Sequence, residues 1–173
     1  MKSLQVLRAV LGFVYFFGWM AAIGSPILFI DPVIHRGIQL SGYTVYNIHW
    51  SFYLVAGAVV IGYFFFVAMI YYLRKVAWSI KPKKLFQDDL APYFRKAGWS
   101  CIIGIIITKI PVVIYFYSVQ INHPDTVVTR NGLSPGLSYD SFFVITAFGL
   151  FLLIMGKITQ NARELQKEND LTI

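Results

Sequence analysis

The sequence predicts an all-α integral membrane protein: a four-helix bundle with two short extracytoplasmic loops. Three observations predict it. The 173-residue chain is 57% hydrophobic and 13% charged, where a soluble domain carries about 25% charge. Four long stretches are nearly free of charge: Ala9 to Ile30, Trp50 to Leu73, Ala97 to Ser118 with Lys109 alone, and Ser141 to Gly156. The 15 Phe and 11 Tyr suit lipid-facing surfaces and interfacial belts better than a small soluble core. A single domain, 1–173, is expected, with helices at about 9–30, 50–73, 97–118 and 137–158, an inner loop 74–96 and a tail 159–173.

A spanning helix needs roughly 20 apolar residues, at about 1.5 Å rise per residue across a core of about 30 Å. The first three stretches meet that length. The fourth does so when Asp140 and Lys157 carry their charges to opposite interfaces. Lys2 and Arg8 make a basic start, and Ala22-Ile23-Gly24 resembles a cleavage site. The apolar run nevertheless continues to Ile30, beyond the roughly 7–15 residues of a signal-peptide core, so a retained helix is expected.

The net charge of +7 follows from orientation. Of the 15 basic residues, 12 precede the first stretch, lie between the second and third, or follow the fourth. The other two loops hold Arg36 and Arg130, and Lys109 is intramembrane. The positive-inside rule then puts both termini in the cytoplasm, with the lipid bilayer as first partner. The basic excess is an orientation signal, and no direct nucleic-acid binding is expected.

Along the chain, Pro32 after Asp31 should end the first helix, and Ser25-Pro26 should bend its last turn. Gly37 to Tyr46 reads as a short strand or hairpin. The second helix carries a small-xxx-small pair, Ala58 and Gly62, and the third carries another, Ser100 and Gly104. In the inner loop, Asp88 or Asp89 can cap a helix leading into the third span, with Pro92 in its first turn. Trp78, Tyr93 and Trp99 should sit near the inner headgroups. Thr126 to Thr129 is strand-like, which predicts a small outer sheet shared by both outer loops. The tail should continue the fourth helix to about Asn169-Asp170.

Few residues offer chemistry. The one cysteine, Cys101, excludes an intrachain disulfide and Cys-X-X-Cys redox chemistry. Lys109 lies about twelve residues into the third helix, two before Pro111. A lysine near the membrane centre costs about 2.5–3.5 kcal/mol on insertion scales. It therefore marks an anion path or relay, or else it snorkels or bonds carbonyls near Pro111 and tyrosines such as Tyr15 or Tyr53. No acidic residue occurs within the four apolar stretches to complete a proton relay. His35, His49 and His123 all fall on the outer side near Asp31, Asp125 and Asp140. Imidazole and carboxylate can hold zinc or copper, yet the spacing matches no ligand motif. Ser25, Ser51 and Ser100 lack a nucleophile-elbow context, and no phosphate-binding glycine loop is present. A non-enzymatic protein without a cofactor is expected.

The tail is the most specific feature. Arg163 to Asp170 is charged and polar, then Leu171-Thr172-Ile173 is abruptly apolar. Such an ending can fold back onto Leu85, Phe86 and Phe94, or dock into another protein. Leu165-Gln166-Lys167-Glu168-Asn169-Asp170-Leu171-Thr172-Ile173 resembles the L-x-x-E-N-D-L-T-[IV] close of the bacterial membrane family called domain of unknown function 2975. Phe86, Arg95 and Gly98 are similar to that family's F…R…G stretch at the same junction. Asp88-Asp89 and Pro92 depart from it, standing where the family more often has Glu-Asn and a continuous helix.

The resemblance implies a four-helix membrane protein without a known activity, often encoded beside a small helix-turn-helix regulator. It thus implies a cytoplasmic surface for such a regulator, with Phe86, Arg95, Glu168, Asn169, Asp170, Leu171, Thr172 and Ile173 as partner-binding residues. The alternatives are a small transporter or channel-like protein using Lys109, as a homo-oligomer or alone, and an outer-face metal protein using the histidines.

Overall fold

The structure, a computed structural model, describes residues 2–35, 37–40, 43–46, 51–80, 90–122, 128–130 and 139–171. Four helices dominate: α1 (Lys2–His35), α2 (Ser51–Ser79), α3 (Ala91–Asn122) and α4 (Tyr139–Leu171). Three short strands, β1 (Gly37–Leu40), β2 (Tyr43–Tyr46) and β3 (Val128–Arg130), form an antiparallel sheet in the order β1-β2-β3. Ile38 pairs with Val45, and Val45 with Val128. The sheet joins the α1–α2 connection to the α3–α4 connection at one end of the bundle. All four helices are long and apolar enough to cross a membrane.

Each helix extends beyond its apolar stretch, because polar residues at the rims continue helical hydrogen bonding where water and headgroups begin. The first helix departs most from expectation. Pro32 does not end α1, which continues to His35. A proline removes one backbone hydrogen bond, and spanning helices absorb that loss through neighbouring groups. Pro26 shows how. It has no N–H for the carbonyl of Ala22, four residues earlier, and Ser25 Oγ donates to that carbonyl at 2.9 Å. Ser25 and Ala22 are both buried.

Pro92 occupies the first turn of α3, where its missing N–H costs nothing. The carbonyl of Leu90 accepts from the N–H groups of Tyr93 and Phe94 at 3.1 and 3.2 Å. Asp88 and Asp89, expected as caps, lie outside the described residues. Pro111 sits inside α3, which runs on to Asn122.

The helices pack antiparallel in chain order: α1 on α2, α2 on α3, and α3 on α4. Consequently α2 and α3 form the centre, while α1 and α4 flank it. A cluster of Phe52, Val55, Ala56 and Val59 from α2 with Val112 and Tyr115 from α3 builds the core near the sheet. The Phe52 and Tyr115 rings meet edge to face at 5.9 Å. Glycines set the closest approaches. A Cβ at Gly62 would run into Thr108 Oγ1 and come within 3.1 Å of the Gly104 carbonyl. A Cβ at Gly98 would lie 2.8 Å from the Gly149 carbonyl and 2.9 Å from Leu153. Much of α1 and α4 presents bulky apolar side chains outward, among them Phe13, Phe16, Phe143 and Phe151, as a lipid-facing surface requires.

Candidate functional site

The four antiparallel helices bring the start of α1, the end of α2, the start of α3 and the end of α4 to one end of the molecule. This end, opposite the sheet, gathers cations and aromatic rings. Arg8 reaches from α1 to the last turn of α2. Its Nε donates to the Ala77 carbonyl at 2.9 Å, and an Nη to the Ile80 and Trp78 carbonyls at 3.0 and 3.3 Å. Its guanidinium also stands 5.3 Å from the Trp78 ring centroid. The last carbonyls of a helix have no intrahelical donor and carry its negative dipole end. A planar, multiply donating cation satisfies both deficits at once.

Three further cations face rings here. Arg74 lies over Tyr15, Lys75 over Tyr71 and Tyr93, and Lys96 over Tyr72, at 4.9–5.8 Å from the centroids. Trp78 and Trp99 are exposed at the same level. A ring of this kind anchors a helix bundle at a bilayer surface. The expected belt residues Trp78, Tyr93 and Trp99 are therefore all at this end. The Arg8 clamp escaped the sequence, because its partners lie 69 to 72 positions away and Arg8 read only as an orientation charge.

Lys109 is buried, at 8% exposure, within the apolar packing of α3. Among the described residues it makes no hydrogen bond and no ion pair. Tyr15, one expected partner, is instead beside Tyr71 and Arg74, near the opposite end of the molecule. Tyr53, the other, is 53% exposed. Cys101 is buried and free, and its Sγ lies 3.4 Å from the Ile145 carbonyl on α4. The antiparallel register that this contact defines sets the first turn of α4 opposite residues 104–107 of α3, just short of Lys109.

Several of the other expected site residues lie outside the described residues. His35 closes α1, while His49 and His123 lie outside the described residues. Among the described residues, no three His, Cys, Asp or Glu side chains come together as a metal site. Phe86, Thr172 and Ile173 lie outside the described residues, and Asp170 and Leu171 are placed only as the last residues of α4. Arg95 packs its stem against Gly156 of α4. Glu168 stands twelve residues further along that helix, about 18 Å away at helical rise, so Arg95 and the Glu168-Asn169 pair are not in direct contact.

What the tail does form is a single exposed helix. Beyond Ile158, α4 continues for about 20 Å to Leu171. Glu164 to Asn169 are all exposed, with Leu165 at 64%. Thr159 Oγ1 donates to the Met155 carbonyl at 2.7 Å, and Gln160 Nε2 to Glu164 Oε1 at 3.0 Å. These local bonds support the helical extension.

No curated protein and no solved structure matches the chain. A family model, described as Protein of unknown function (DUF2975), matches residues 39–173, from β1 through α2, α3 and α4 to the tail. Its four helices are long and apolar enough to cross a membrane, and with that match over most of its length this chain belongs to the DUF2975 family.

Proposed function

We propose that this protein is a non-enzymatic, multi-pass protein of the bacterial inner membrane that presents its tail helix to a cytoplasmic partner, a small helix-turn-helix regulator. The observation that carries the reading is the exposed extension of α4 through Glu164–Asn169. A helix that continues beyond its apolar stretch and exposes six successive residues is a ready contact surface. The charge distribution supports a cytoplasmic location for it, since 12 of 15 basic residues precede the first apolar stretch, lie between the second and third, or follow the fourth, as the tail does. Phe86 and the inner loop would flank the contact. The test is co-elution of the detergent-purified protein with its encoded neighbour regulator, with and without residues 165–173. Tail-dependent co-elution is expected, and equal co-elution of both forms would refute the role of the tail.

A second reading rests on Lys109. A buried lysine without a hydrogen-bonding partner among the described residues suits a small transporter or channel-like protein with an anion path. Anion flux in proteoliposomes, abolished by Lys109→Met, would move the assignment there.

A further inference from the structure

The end of the molecule that carries the tail also holds a lateral groove of about 300 Å³ between α2 and α3. Its walls are Tyr72, Pro92, Arg95, Lys96, Trp99 and Ile103. The chemistry changes along its length. Arg95 and Lys96, both exposed, stand at the outer rim, with Lys96 fixed over the Tyr72 ring at 5.8 Å. Trp99 follows one turn deeper at 56% exposure, and Ile103 another turn deeper at 36%. From Lys96 to Ile103 the helix rises about 10 Å, from the charged rim of a spanning helix into its apolar body. Ser100, half-buried, lines the same wall.

We propose that this groove is a binding site for one anionic phospholipid of the surrounding leaflet. Arg95 and Lys96 take the headgroup phosphate. The indole of Trp99 stands at the depth of the glycerol backbone, and an acyl chain lies over Ile103. Two features select this occupant over a soluble one. The two cations supply the charge complementary to a phosphodiester, and among the described residues the groove wall holds no carboxylate. The groove also opens sideways along a spanning helix, so the polar-to-apolar order of its wall matches the order of groups in a lipid lying beside it. Basic pockets between helices at a membrane surface recognise anionic headgroups by this logic.

The test uses the full chain in mild detergent, titrated with phosphatidylglycerol or with phosphatidylcholine of the same acyl chains. Bound lipid is counted by native mass spectrometry. One phosphatidylglycerol per chain should be retained in preference to phosphatidylcholine, by about 25-fold if each cation contributes about fivefold. The double variant Arg95→Gln/Lys96→Gln should lose that preference. A second variant, Ser100→Leu, keeps both charges and fills the groove wall, and it should lose retention as well. Equal retention of the two lipids by the unaltered chain would overturn the proposal. So would undiminished phosphatidylglycerol retention in Ser100→Leu, or inorganic phosphate competing the lipid away at equal concentration, which would mark a free-anion site.

Discussion

Gly62 of α2 faces Thr108 of α3 with no room for a side chain between them: a Cβ at position 62 would collide with Thr108 Oγ1. That hydroxyl is itself fixed, donating to the Gly104 carbonyl at 2.7 Å. It cannot turn away without losing a buried hydrogen bond. Gly62→Ala should therefore destabilise the α2–α3 crossing by about 1–3 kcal/mol, the usual cost of overpacking. Gly57, five residues earlier on α2, has no atom within 4 Å of its Cβ position. Gly57→Ala should be neutral or slightly stabilising, because alanine favours the helix by up to about 1 kcal/mol. Unfolding midpoints of both variants in mild detergent check the pair, and equal midpoints would show slack at the crossing.

The two crossings show how far sequence reading reached. Four-residue spacing marked Ala58 with Gly62 and Ser100 with Gly104, and one residue of each pair, Gly62 and Gly104, does meet the other helix. Ser100 instead lines the lateral groove. The α3–α4 crossing went unmarked. There Gly98 meets Gly149 and Leu153, and Gly156 meets Arg95 and Ala91. Gly149 and Gly156 are seven residues apart, two helical turns, which a four-residue rule passes over. The four spans were legible because length and apolarity are properties of each segment alone. Partnerships between segments were not, since they depend on which faces meet.

Arg8 illustrates the same limit and gives the second prediction. Its three hydrogen bonds to the end of α2 span 2.9–3.3 Å and tie α1 to a helix that it touches along a modest face. Arg8→Gln should weaken the α1–α2 joint by about 1–3 kcal/mol, the range for hydrogen bonds made by a charged donor at a helix end. Arg8→Lys should fall between the two, because an ammonium keeps the charge but lacks the planar fork. Thermal unfolding of the three forms, read with a probe on α1, tests this order. An Arg8→Lys variant less stable than Arg8→Gln would contradict it.

The tail should be dispensable for folding. Glu164 to Asn169 are exposed and local i,i+4 bonds support the extension, so the described part of the segment 165–173 buries little surface. The truncated protein should unfold within about 0.5 kcal/mol of the full chain, the range for surface changes. A large loss of stability would mean that the apolar Leu171-Thr172-Ile173 end folds back onto the bundle, and would weaken its role as a free contact surface.

Lys109 separates structure from function most sharply. It is 8% exposed amid Ile105, Thr108 and Val112 on α3, all buried. A lysine near the middle of a span costs about 2.5–3.5 kcal/mol on insertion scales, and a charge with weak compensation is costly to bury. Lys109→Met keeps the length and removes the charge. Where Lys109 is only a structural passenger, the variant should match or exceed the unaltered chain in unfolding midpoint and should keep any tail-dependent partner binding. Where Lys109 lines an anion path, the variant should again be at least as stable, yet flux in proteoliposomes should vanish. A variant markedly less stable than the parent would contradict both readings. It would show instead that the ammonium holds the outer half of α3 and the first turn of α4 together, through a partner that its burial alone does not reveal.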